Sequence, residues 1–111
     1  MQLGTLAARE GRFDKAVEFL DEALRLDGSL GPAHLLRAKA LFQTGDVPAA
    51  IVAFQEACRW LPQSFEAHYN LGVILRQQGR LKEARPFLER AMDIDPQNEL
   101  VERIRAELAD G

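Results

Sequence analysis

The sequence predicts an all-α fold, an α-solenoid of three helix-turn-helix repeats closed by a C-terminal capping helix. Two observations predict it. The first is a recurring phrase: Gly11-Arg12-Phe13-Asp14-Lys15-Ala16, Gly45-Asp46-Val47-Pro48-Ala49-Ala50 and Gly79-Arg80-Leu81-Lys82-Glu83-Ala84 share one glycine-to-alanine frame. The glycines fall at 11, 45 and 79, a period of 34 residues. A fixed period in this range marks stacked repeats, each a supersecondary unit that cannot bury its apolar face alone. The second observation is punctuation. Each phrase lies between two stretches with apolar residues at helical spacing, and glycine or proline closes those stretches.

The first unit, residues 1–30, reads as a short opening helix from Met1 to about Glu10, a stop at Gly11, and a second helix ending before Gly28. The second unit, 31–64, has Pro32 at a helix start, Gly45 as terminator, Asp46 as N-cap with Pro48 just inside, and Pro62 as the stop. In the third, 65–98, Ser64 caps a helix over Phe65 to Gln78 that carries Ala67, Leu71, Ile74 and Leu75, and Gly79 ends it. Glycine is expected there because a helix often closes with one left-handed residue. A second helix over Leu81 to Ile94 follows, with Ala84, Phe87, Leu88 and Ala91 on one face, and stops ahead of Pro96. Pro86, a turn inside, is tolerable near that boundary with some local distortion.

The remaining residues, 99–111, predict a helix capped by Asn98 and running from Glu99 to about Ala109. Leu100, Val101, Ile104 and Leu108 lie on one side, and Glu102, Arg103, Glu107 and Asp110 on the other. One apolar face and one charged face suit the open end of a stack, so this is a cap and not a fourth repeat. Between paired helices, small residues are expected to meet: Gly4, Ala38 and Gly72 on first helices against Ala16, Ala50 and Ala84 on second helices. Ala23, Ala57 and Ala91 would do the same toward the next unit.

Three 34-residue copies nearly fill the 111 residues, which leaves no room for a separate catalytic domain. With 14 Lys and Arg against 17 Asp and Glu, the net charge of −3 is far from what a nucleic-acid backbone attracts. No apolar run is long enough for a membrane span and no secretory leader is visible, so a cytoplasmic, membrane-free protein is expected. Cys58 is the only cysteine and stands where Leu24 and Met92 stand in the sister units, an apolar core place. His34 and His68 also occupy equivalent places, and packing is the expected role for both, since helices some 8–10 Å apart do not converge two such rings on one metal. No nucleophile, acid pair or phosphate loop is placed for chemistry. The expectation is no enzyme, no cofactor and no metal.

Counting Phe65 as place one, the third unit reads His68-x-x-Leu71-Gly72-x-x-Leu75, Ala84-x-x-x-Leu88, Ala91, Pro96. The second gives His34-x-x-Arg37-Ala38-x-x-Leu41, Ala50-x-x-x-Phe54, Ala57, Pro62, and the first Leu3-Gly4-x-x-Ala7, Ala16-x-x-x-Leu20, Ala23, Gly28. This pattern resembles the tetratricopeptide repeat. It departs from the family in the two histidines, in Arg37 where leucine is usual, and in Gly28 where proline is usual. The resemblance implies a single domain over 1–111, a right-handed superhelical stack, and protein–protein binding on its concave face.

In this family the concave face is built from places five, nine, twelve and thirteen of the first helices, with places two and six beside them. The peptide groove so implied holds Arg9 with Thr5 and Ala8; Leu35, Lys39, Phe42 and Gln43; and Tyr69, Asn70, Val73, Arg76 and Gln77, with Glu66 at the rim. Arg9, Lys39 and Arg76 outnumber Glu66, so the expected partner is a peptide or protein segment with acidic groups and apolar anchors. Leu35, Phe42, Tyr69 and Val73 would otherwise be exposed apolar groups without purpose. Family members that clamp the acidic tails of heat-shock chaperones carry lysine, arginine or asparagine where this chain has Met1, Thr5, Leu36, Glu66 and Asn70. That clamp is therefore not expected here. The alternatives are self-association through the N-terminal edge around Leu3 and Leu6, a segment cut from a longer repeat array, and an accessory domain of a larger enzyme.

Overall fold

Every secondary-structure element among the described residues is a helix. A computed structural model of the chain describes residues 12–109, in the order α1 (Phe13–Leu26), α2 (Gly31–Gln43), α3 (Val47–Trp60), α4 (Phe65–Gln77), α5 (Leu81–Ile94) and α6 (Val101–Ala109). The opening helix expected before Gly11, and Asp110 of the cap, lie outside the described residues. The described chain forms two compact units that divide between Pro62 and Gln63. In the first, α1 packs on α2 and α2 on α3; in the second, α4 packs on α5 and α5 carries α6.

The helix boundaries follow from the punctuation. Gly45 and Gly79 take positive φ angles of 88° and 76°, and each sits in the same pair of closing hydrogen bonds. Gly45 N donates to the Phe42 carbonyl and Asp46 N to that of Leu41, while Gly79 N donates to Arg76 and Arg80 N to Leu75. These bonds satisfy carbonyls that the last turn leaves open, and the left-handed residue they need costs glycine nothing. Asp46 Oδ1 accepts from Ala49 N at 3.2 Å, and Ser64 Oγ accepts from Ala67 N at 3.1 Å, so both expected N-caps form. α5 runs through Pro86 without interruption.

The core of each unit is the set of small and branched residues at helix contacts. In the first, Ala16, Leu20, Ala38, Ala50, Phe54 and Ala57 are buried; in the second, Leu71, Leu75, Ala84, Leu88, Ala91 and Ile104 are. Gly72 is most tightly held by a residue other than the one singled out from the sequence. The three atoms nearest a Cβ built on Gly72 all belong to Leu88, with Cδ2 at 2.5 Å. Gly72 lies level with Leu88 itself, whose backbone nitrogen would stand 3.3 Å from that Cβ. Gly31 is held in the same way by Leu61, whose Cδ2 would stand 2.6 Å from an added Cβ.

The capping helix departs from expectation in two respects. It starts at Val101, because Asn98 Oδ1 accepts from Leu100 N at 2.9 Å and closes a turn instead of capping a helix at Glu99. Glu107, assigned to the water face, is only 20% exposed in its side chain and reaches Arg103 Nε at 3.6 Å. It lies about 60° round from Ile104, at the edge of the buried face. Val101, Ile104 and Leu108 are buried as expected, and Arg85 Nη2 of α5 donates to the Leu108 carbonyl at 3.2 Å.

Candidate functional site

The first helices of the second and third repeats, α2 and α4, carry the residues singled out from the sequence. On α2, Leu35 and Phe42 are half-buried and Lys39 and Gln43 exposed. Spacing of four, three and one residues puts these four on one side of the helix. On α4, Tyr69, Asn70, Val73 and Arg76 are half-buried and Gln77 and Glu66 exposed, and Tyr69 stacks on Phe65 with ring centroids 5.6 Å apart and planes 14° from parallel. Arg9, Thr5 and Ala8 lie outside the described residues.

The charge of α2 is one-sided: it carries Arg37 and Lys39 and no acidic residue. Arg37, the departure from leucine at place seven, turns away to α1, where its Nε donates to Asp21 Oδ1 at 2.5 Å. An ion pair so placed keeps a cation at the rim of the core without burying it unpaired. Lys39 is exposed on the α2 strip.

Both histidines are buried and each gives one ring nitrogen to a backbone carbonyl, but not the same nitrogen. His34 Nε2 donates to Gly28 at 2.8 Å, in the turn between α1 and α2; His68 Nδ1 donates to Ser64 at 2.8 Å, one turn back in its own chain. His68 also tilts against Phe87 of α5, with centroids 6.4 Å apart. Among the described residues no group of three or more His, Cys, Asp or Glu could hold a metal ion. Cys58 is buried, and loss of hydration pushes its thiol pKa up to about 12 from 9.0. No helix among the described residues is long and apolar enough to cross a membrane.

The most exposed apolar groups are not among the groove residues. Leu35, Phe42, Tyr69 and Val73 are all half-buried. The exposed large apolar residues among those described are Phe19, Leu26, Leu30, Val52 and Trp60, all in the first unit. Leu26 is 75% and Trp60 41% exposed. Leu26 and Trp60 occupy the same place in consecutive 34-residue repeats, each the last residue of its helix, and each follows an arginine. Arg59 lies over the Trp60 ring, 5.3 Å from its centre. That repeated Arg-apolar pair at 25–26 and 59–60 was the available signal in the sequence.

The tetratricopeptide repeat family model matches residues 1–59 and again residues 35–99. No curated protein sequence matches the chain significantly. Among solved structures, the chain superposes on the Yersinia enterocolitica type III secretion chaperone SycD, solved in complex with a peptide of the translocator YopD. The TM-score is 0.88 at 18% identity, covering 98% of this chain and 86% of that one. The Arabidopsis OM64 TPR domain gives 0.85 at 24% identity, over 96% of this chain and 88% of that one. The second TPR domain of human RPAP3, solved with an HSP70 peptide, gives 0.84 at 21% identity, over 98% and 88%. At these identities the likeness is one of fold.

Proposed function

The chain belongs to the tetratricopeptide repeat family, and on that premise we propose that it is a protein-binding scaffold whose first-helix faces hold a partner peptide. The observation that carries this reading is the α2 strip, in which half-buried Leu35 and Phe42 flank exposed Lys39 on a helix without a carboxylate. Such a strip offers apolar contact along its length and attraction for an acidic group at its middle. On α4 the stacked Phe65 and Tyr69, with Val73, Asn70, Arg76 and Gln77, offer a strip of the same kind on the second unit. Arg9 would extend it on the first unit. Two of the similar structures, SycD and RPAP3, were solved with peptides, which supports peptide binding as the kind of work this fold does. Glu66 and Leu36 stand where a tail-clamping member would carry cations or amides, so the ligand proposed here is an internal acidic and apolar segment rather than a heat-shock chaperone tail.

A pull-down from the source lysate tests the reading. The native domain is compared with a Lys39→Glu, Arg76→Glu variant whose folding is checked by circular dichroism. Loss of the main partner from the variant is expected. Full retention would move recognition off these faces.

Self-association is the second reading, favoured by the exposed Leu26 and Trp60 of the first unit. The N-terminal edge around Leu3 and Leu6 is the surface first assigned to it. Light scattering over a concentration series separates the two: a strict monomer at high concentration removes self-association and leaves the peptide reading standing.

A further inference from the structure

We draw no further inference here: the strongest candidate, the exposed apolar patch of Leu26, Leu30 and Trp60 at the end of the first unit where α1 stops, α2 starts and α3 stops, is an unpartnered apolar face, and nothing in the structure shows what covers it.

Discussion

Leu88 fills the space that a side chain on Gly72 would need: an added Cβ would stand 2.5 Å from its Cδ2, 2.6 Å from its Cγ and 3.3 Å from its backbone nitrogen. Leu88 is fully buried, so any shift it makes must displace other core atoms. Gly72→Ala should therefore lower stability by about 1–3 kcal/mol through overpacking, although alanine is the better helix former by about 1 kcal/mol. Urea denaturation gives the difference. In a Leu88→Ala background the same substitution should cost much less, since the obstacle is gone. An equal cost in both backgrounds would show that the two residues do not compete for one space.

Gly45 and Gly79 pose the opposite case. An added Cβ would meet nothing within 4 Å at either position, but the backbone is left-handed. Gly45→Ala and Gly79→Ala should each cost about 1–2 kcal/mol from conformation alone, and the asparagine variants less, because asparagine tolerates that region. Thermal melts of the four variants rank them. Alanine matching asparagine would mean that the closing turn had rearranged.

The Arg37–Asp21 pair joins two helices at a place where the family carries leucine. Arg37 retains 29% exposure and Asp21 53%, so solvent screens the attraction. Asp21→Ala should cost no more than about 1 kcal/mol. Arg37→Leu should leave the denaturation midpoint unchanged or raise it, since leucine gains burial where the guanidinium gained little. A clear fall in midpoint for Arg37→Leu would instead make the ion pair a principal tie between α1 and α2.

Cys58 makes stability depend on alkaline pH. Its folded-state pKa is raised to about 12, so the folded state keeps the thiol proton while the unfolded chain releases it above about 9. This contribution is complete below the unfolded value and is lost as pH rises toward the folded one, by up to about 1.4 kcal/mol per pH unit. Denaturation midpoints at pH 8 and 10 should diverge for the native chain more than for Cys58→Val. Parallel curves would place the thiol in water. The same burial predicts slow reaction with thiol reagents in the folded state.

Most of the fold was legible because glycine and proline act locally. Gly45, Gly79, Asp46 and Ser64 decide their helix ends through bonds to residues at most five away, and those bonds form as read. The closeness of Gly72 to Leu88 was not legible because helical period fixes which face a residue occupies, not which level of the facing helix it meets. The late start of α6 has a similar origin, since one Asn98 side chain can either cap a helix or close a turn. Of the candidate site, the placement of Leu35, Lys39, Phe42 and Gln43 on one side of α2 follows from period alone. The half-burial of Leu35 and Phe42, and the exposure of Leu26 and Trp60, depend on which neighbour each side chain meets, and one chain's period carries no record of that.

The division of the chain between Pro62 and Gln63 has an optical consequence. The sequence holds one tryptophan and one tyrosine, and the division gives one to each unit: Trp60 closes α3 under Arg59, and Tyr69 lies against Phe65 on α4. Each unit thus contains a native chromophore of its own. Tryptophan emission excited at the red edge follows the first unit, and the tyrosine bands resolved in the second-derivative near-ultraviolet spectrum follow the second. Whether the two melt as one body or in turn can be read from the unaltered protein, without a label or a substitution.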